Sequence, residues 1–213
     1  MGKVVVVDYG VGNLLSVCRG LEQVGASVVL TSDPETILGA ERLVLPGVGA
    51  FPNAMEALHG LGLVPILKDV AARHVPLLGI CLGMQLLFDE SEEFGTTQGL
   101  GLIPGNVRPI PDKSVTGEPL KIPHIGWNGI KPSSDDADWS TSCLARSAPN
   151  EAMYFVHSFQ ALPSDPSFRL ADCEYGGHAI SAVVSKGSVT GCQFHPEKSG
   201  QAGLNILQAF CGL

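Results

Sequence analysis

The chain opens with Lys3 and then four consecutive valines, Val4 to Val7, before Asp8. An unbroken apolar run of this length, with no polar alternation, suits a strand covered on both faces, as in a parallel sheet. A glycine-bearing turn, Tyr9-Gly10-Val11-Gly12-Asn13, leads into a helical pattern from Leu14 to about Val24. Ser27 to Thr31 reads as a second strand, and Leu43 to Leu45 as a third that Pro46-Gly47 stops. Helical periodicity returns over Phe51 to Leu58 and Val64 to Arg73. Val75 to Ile80 predicts another strand, followed directly by a helix over Leu82 to Phe88. Strands alternating with helical segments predict βα units and a parallel sheet.

From Gly99 onward the pattern changes to short strands and many turns. Leu120 to Ile122, Ala152 to Val156, Arg169 to Cys173, Ala179 to Ser185 and Val189 to Phe194 are the candidates. Lys131 to Ser142, rich in Ser and Asp, reads as an exposed loop, and Gln201 to Phe210 as a final helix. The expected fold is α/β: a mostly parallel, doubly wound sheet with helices on both faces and an added antiparallel portion. No repeat or linker divides the 213 residues, so a single domain is expected.

Composition narrows the function. Hydrophobic residues make up 45% and charged residues 16%, enough apolar material for a large core. The net charge of -8 argues against nucleic-acid binding, which requires clustered Lys and Arg. The apolar stretch at the N-terminus is too short for a secretory signal, and no run of 18 apolar residues predicts a membrane span. The six cysteines form no C-x-x-C pair, which favours reduced thiols and a cytoplasmic setting. Neither a metal nor a cofactor is expected: the six histidines lack metal-ligand spacing, and Gly10-Val11-Gly12 lacks the third glycine of a dinucleotide fingerprint. There Asn13 reads as a helix cap.

The chemistry points to Gly79-Ile80-Cys81-Leu82-Gly83. It is a G-x-C-x-G turn between a strand and a helix, the thiol form of a nucleophile elbow. A side chain on such a turn projects over the strand end. Its strained backbone requires small neighbours two residues away on each side. Amide groups at the start of the following helix favour a thiolate, and the Leu82 N–H is placed to stabilise an oxyanion. The other five cysteines read as buried structural residues.

A thiol nucleophile needs a histidine, and the histidine an orienting group. Gln193-Phe194-His195-Pro196-Glu197 supplies both at the end of a predicted strand. Sites in parallel sheets gather at such carboxyl ends. Pro196 favours extended backbone at His195, and residues i and i+2 of an extended segment share a face, so Glu197 can reach the ring. Taken alone, His-Pro-Glu is ordinary turn material. The elbow at Cys81 decides for the triad Cys81, His195 and Glu197.

Gly79-Ile80-Cys81-Leu82-Gly83-Met84-Gln85 together with Phe194-His195-Pro196-Glu197 resembles the class I (triad) glutamine amidotransferases. Four further segments are similar to the glutaminase subunits of imidazole glycerol phosphate synthases: Asp8 to Leu14, Pro46 to Phe51, Pro123 to Asn128 and Tyr154 to Ser158. Lys198-Ser199-Gly200 agrees, and Gln160 departs from the pattern, which has a second aromatic after Phe159. The resemblance implies hydrolysis of glutamine to glutamate and ammonia. The ammonia passes to a separate cyclase subunit, a (β/α)8 barrel, in histidine biosynthesis.

The resemblance also implies roles: Cys81 as nucleophile, His195 as base and Glu197 as orienting acid. Val48 and Gly49, whose peptide flips in the family, complete an oxyanion hole with Leu82. Gly49 and Gln85 contact glutamine, as do His157 and Ser158 through backbone. Asn13, Pro123 and Trp127 face the cyclase. Alternatives at this level are the glutaminase of another complex (anthranilate, guanylate or pyridoxal phosphate synthesis), a non-catalytic partner module and a γ-glutamyl peptidase.

Overall fold

A computed structural model describes residues 2–213. Its larger sheet has nine strands. Five are mutually parallel: β1 (Lys3–Val7), β2 (Ser27–Thr31), β3 (Leu43–Gly47), β4 (Leu77–Cys81) and β13 (Val189–Cys192), in the order β2-β1-β3-β4-β13. The sheet continues antiparallel through β12 (His178–Lys186), β11 (Arg169–Tyr175), β8 (His124–Pro132) and β9 (Ala152–His157). A smaller four-stranded sheet is ordered β10-β7-β5-β6, from β5 (Glu90–Ser91), β6 (Thr97–Gln98), β7 (Gly105–Pro109) and β10 (Phe159–Pro163). Among the described residues no helix is long and apolar enough to cross a membrane.

The valine run explains how the layers assemble. Val4 and Val6 point to one face, where they join Val17 and Leu21 of α1 (Leu14–Gln23) and Ile206, Leu207 and Phe210 of α6 (Gly200–Phe210). Val5 and Val7 point to the other. There they join Ile37 of α2 (Pro34–Leu38), Phe51, Met55 and Leu58 of α3 (Phe51–Gly60) and Leu67 and Val70 of α4 (Leu63–Ala72). Both faces of the strand are dry, so the period-2 alternation of a half-exposed strand is absent and every position is apolar. The fold class read from the sequence is observed.

Several boundaries differ from those the sequence predicts. β3 does not stop at Pro46-Gly47: pairing with β4 runs on through Pro46 opposite Ile80 and Gly47 opposite Cys81. The fourth predicted strand begins at Leu77, not Val75, and ends on Cys81 itself. The helix after it, α5 (Leu82–Leu86), has five residues and ends before Phe88. Leu120 to Ile122 is not a strand; the true strand β8 starts at His124, where a long partner, β9, is available. The predicted strand over Val189 to Phe194 ends at Cys192. For β3 and β8, pairing with distant residues overrides local preference.

The Lys131 to Ser142 segment is less exposed than its composition suggests. Lys131 and Pro132 belong to β8, and Trp139 is buried with its indole N–H donating to the Leu170 carbonyl at 2.8 Å. Elements absent from the sequence reading are the nine-residue β8 and the short α2, β5, β6, β7 and β10, each of five residues or fewer. Asn13 occupies the N-cap position of α1. Its backbone carbonyl accepts from the Val17 N–H, but its side chain makes no capping bond.

The backbone is closely packed where β4 turns into α5. A Cβ on Gly79 would sit 2.7 Å from the Gly83 carbonyl oxygen, and a Cβ on Gly83 would overlap the Leu45 carbonyl of β3. The two glycines are therefore sterically required, as the elbow reading expects. Gly83→Ala forces backbone to move in the centre of the sheet. It is expected to lower stability by at least about 3 kcal/mol, read as the urea midpoint. A midpoint equal to that of the wild type would show that the turn is not held against β3.

Candidate active site

Cys81 stands on this turn with φ 55° and ψ −111°, a conformation that side chains other than glycine rarely adopt. Such backbone costs on the order of 1–3 kcal/mol and persists only where its surroundings enforce it. Here β3 on one side and the two glycines on the other do so. The side chain is nearly buried and faces the wall formed by β9 and the segment after β13. Its sulfur lies 3.8 Å from the Val156 carbonyl and 3.8 Å from Nε2 of Gln193. Tyr9 steadies the neighbouring strand end, its hydroxyl donating to the Pro46 carbonyl at 2.7 Å. Burial, and then the negative charge at Cys81, push the phenol above its ordinary range, so it stays a donor.

His195 lies three residues beyond β13. Its backbone is extended, but Pro196–Lys198 forms a 3₁₀ turn. Glu197 therefore reaches the ring by the turn curling back, not along a continuous extended segment as the i, i+2 argument supposes. The bond is close: Nδ1 to Oε1 is 2.8 Å, with both side chains almost fully buried. The His195 backbone is fixed as well. Its N–H donates to the Tyr154 carbonyl at 2.9 Å, and its own carbonyl accepts from the Ser199 hydroxyl at 2.6 Å.

Burial of the His195 ring disfavours its cation. Hydrogen bonding to Cys81 and Glu197 and the negative charge of both outweigh this, and the pKa rises to about 9. Nε2 is nevertheless buried without an aligned partner. The pull of Cys81 is thus best understood as proximity of a sulfur anion, while the bond to Glu197 is the geometrically firm one. Glu197 holds Nδ1–H and leaves Nε2 as the nitrogen available for proton exchange.

Cys81 and His195 open onto a cavity of about 260 Å³. Val48, Gly49, Leu82, Gln85, His157 and Ser158 also line it, so eight of the residues singled out in the sequence meet at one place. Val48 is partly exposed, and Gly49 has φ +97° with open space where a Cβ would stand. Gln85 is buried, and its Nε2 donates to the Phe159 carbonyl at 3.1 Å and to Oε1 of Gln193 at 3.0 Å. Both amide hydrogens are thereby used, which leaves Oε1 as an acceptor for a donor group in the cavity. His157 is buried, and burial first of all lowers its pKa to about 4, so it is a neutral ring and not a second base at neutral pH.

Three lining residues were not anticipated: Glu93, Val156 and Phe159. Glu93 carries charge into the cavity wall, and its Oε2 accepts from the Phe51 N–H at 2.7 Å, at the start of α3. Nothing local in Ser91-Glu92-Glu93-Phe94 signals this, because the loop reaches α3 only through the pairing of β5 with β7. Of the residues read as partner-facing, Trp127 is well exposed on β8 and packs edge-on against Tyr154. Pro123 and Asn13 are half-buried, Pro123 just before β8 and Asn13 beyond the carboxyl end of β1. Among the described residues no group of three or more His, Cys, Asp or Glu side chains is arranged to hold a metal ion.

A folded-state pKa of about 9 for His195, against 6.5 for an unperturbed imidazole, has a definite sign. The folded state prefers the protonated ring. The resulting stabilisation is complete below pH 6.5 and is lost as pH rises through about 9. Glu197→Gln removes one of the two anions, so the His195 titration followed by NMR is expected to move down by about one unit or more. The stability advantage of the wild type over this variant then shrinks between pH 6.5 and 9. An unmoved titration would show that Glu197 does not govern the ring.

The amino-acid sequence matches the family model described as "Glutamine amidotransferase class-I" over residues 5–211. Among curated relatives, "Imidazole glycerol phosphate synthase subunit HisH 1" of Legionella pneumophila (strain Lens) is 52% identical, with 99% of each chain covered. "Imidazole glycerol phosphate synthase subunit HisH" of Geobacillus kaustophilus is 47% identical, covering 98% of this chain and 95% of that protein. Among solved structures, one titled "Crystal structure of glutamine amidotransferase" superposes with a TM-score of 0.72 at 16% identity, covering 98% of this chain and 99% of the other. "Structure of PurLQS from Thermotoga maritima" gives 0.70 at 18% identity, covering 99% and 98%. At these identities the structural matches speak for the fold alone. With the family model spanning nearly all of the chain and full-length relatives at about half identity, the chain belongs to the class-I glutamine amidotransferase family.

Proposed function

We propose that this protein, a single domain, hydrolyses glutamine to glutamate and ammonia through Cys81, His195 and Glu197, and delivers the ammonia to the cyclase subunit of imidazole glycerol phosphate synthase. The observation that carries the chemistry is a buried cysteine at positive φ sharing a cavity with a His–Glu pair bonded at 2.8 Å. The choice of complex rests on the full-length relatives named as subunits of that synthase.

The proposed reaction uses this geometry. The Cys81 thiolate attacks the side-chain carbonyl carbon of glutamine. The carbonyl oxygen takes up the electron pair and is stabilised by the Leu82 N–H and by the Val48–Gly49 peptide once that peptide turns inward. The φ of Gly49 and the open space around it suit such a turn. Each donor is worth about 100- to 1000-fold in rate. Nε2 of protonated His195 gives its proton to the nitrogen as the C–N bond breaks, releasing ammonia and leaving a thioester. The neutral ring then takes a proton from water, which attacks the thioester and restores the thiolate and glutamate.

Recognition uses the polar groups of the cavity wall. Oε1 of Gln85 and the Glu93 carboxylate suit the α-ammonium of glutamine, and the backbone of His157 and Ser158 suits its carboxylate. Trp127, Pro123 and Asn13 form the face toward the (β/α)8-barrel cyclase, for which an exposed tryptophan is a fitting anchor. No nucleic acid or membrane has a part in this reading, and the protein acts in the cytoplasm.

The test is glutamate release from glutamine by this protein alone, with the cyclase subunit, and with that subunit and its nucleotide substrate. Activity is expected to rise at least about 10-fold with partner and nucleotide, and to vanish in Cys81→Ala, whose loss of the nucleophile leaves no thioester route. Undiminished activity in Cys81→Ala would overturn the triad. Strong activity indifferent to that partner would overturn the choice of complex.

A further inference from the structure

Four hydrogen bonds run from β8 through Gln85 to Gln193, and a fifth, longer contact continues to the Cys81 sulfur. His124 Nδ1 lies 3.0 Å from His157 Nε2, and His157 Nδ1 lies 2.8 Å from the Phe159 carbonyl. The same carbonyl accepts from Gln85 Nε2 at 3.1 Å. Gln85 Nε2 also donates to Gln193 Oε1 at 3.0 Å, and Gln193 Nε2 faces the sulfur at 3.8 Å. His124, His157, Gln85 and Gln193 are all buried, so water cannot substitute for a lost partner without rearrangement.

The direction of every bond is determined. A carbonyl only accepts, so His157 must carry its proton on Nδ1. A neutral His157 then offers a lone pair at Nε2, and His124 must donate from Nδ1. Burial lowers the pKa of both rings, which keeps the pair neutral. Gln193 cannot turn its amide around without presenting N–H to the Gln85 N–H. Gln85 in turn cannot flip without losing both of its acceptors. The chain thus admits one proton arrangement, and in it Gln85, which lines the cavity, keeps Oε1 as its free acceptor. Fully satisfied buried networks of this kind rigidify the groups they join.

We propose that His124, His157 and Gln193 are positioning residues that lock the orientation of Gln85 and thereby set the affinity of the cavity for glutamine. His124 lies outside the cavity, stacked between Phe155 (ring centroids 5.1 Å) and Tyr175 (4.1 Å), and acts only through His157. The proposal deepens the glutaminase reading and rests on it.

The experiment uses the full-length protein in complex with the cyclase subunit. His124→Phe keeps an aromatic ring between Phe155 and Tyr175 but removes the donor. It is expected to raise the KM for glutamine about 10-fold, with kcat changed by less than about 3-fold. The rate at which iodoacetamide alkylates Cys81 should stay near the wild-type value, since that small electrophile does not need Gln85. His124→Asn restores an N–H near the position of Nδ1 and is expected to recover most of the affinity. A folded His124→Phe complex with unchanged KM, or a His124→Asn complex no better than His124→Phe, overturns the proposal. If His124→Phe does not fold, Gln193→Met replaces it. A raised KM there supports the chain, and an unchanged KM overturns it. Absence of glutaminase activity in the wild-type complex is a different result: it removes the glutaminase reading itself.

Discussion

The site depends on how closely the β4–α5 turn is pressed against β3. Gly83 lies so near the Leu45 carbonyl that no Cβ fits between them, and Gly79 lies under the same turn. This contact holds Cys81 at positive φ and sets its sulfur over the carboxyl end of the parallel sheet. The energy that keeps the strained turn in place comes from elsewhere. β4 lies between β3 and β13 in the parallel part of the sheet, and these neighbours carry Val48–Gly49 and His195 just beyond their ends. One end of the sheet therefore delivers Cys81, His195 and the Val48–Gly49 peptide to a single cavity, with no separate device for each.

The electrostatics follow from burial. His195 and Glu197 are almost inaccessible to water, and a buried ion pair is only a gain where its geometry is good. The 2.8 Å bond meets that condition at Nδ1, and the charge of the sulfur stabilises the cation from the other side of the ring. The rings of His124 and His157 show the opposite outcome. With no anion beside them, burial makes them neutral, and they serve as donor and acceptor in a fixed chain. Five buried imidazole nitrogens are thus assigned by their neighbours: two to the His124–His157 bond, one to the Phe159 carbonyl and one to Glu197, with His195 Nε2 left free.

Much of this was legible in the residues. The Val4 to Val7 run, the G-x-C-x-G spacing and His-Pro-Glu report directly on a two-sided strand, a strained turn and a His–Glu pair, because each leaves its mark in neighbouring residues. Errors collected where structure is decided at a distance. Pro46-Gly47 reads as a stop, but its pairing with Ile80 and Cys81 extends β3 to the rim of the site. Trp139 lies in a polar stretch, yet is buried by packing with residues from distant strands. Glu93 and Gln193 were not read as site residues for the same reason: their partners, Phe51, Gln85 and Cys81, are far away in the chain. A glutamate in an acidic loop and a glutamine just past a strand carry no local mark of such bonds.

The central claim is that the strained turn makes Cys81, alone among six cysteines, the nucleophile toward a glutamine side chain. It is tested most directly by treating the protein with a diazo-ketone analogue of glutamine and locating the adduct by peptide mass spectrometry. The account predicts one adduct per chain, on Cys81, with Cys18, Cys143, Cys173, Cys192 and Cys211 unmodified as packed, unpaired thiols. An adduct on another cysteine, or none on Cys81 in the presence of the cyclase partner, would contradict it.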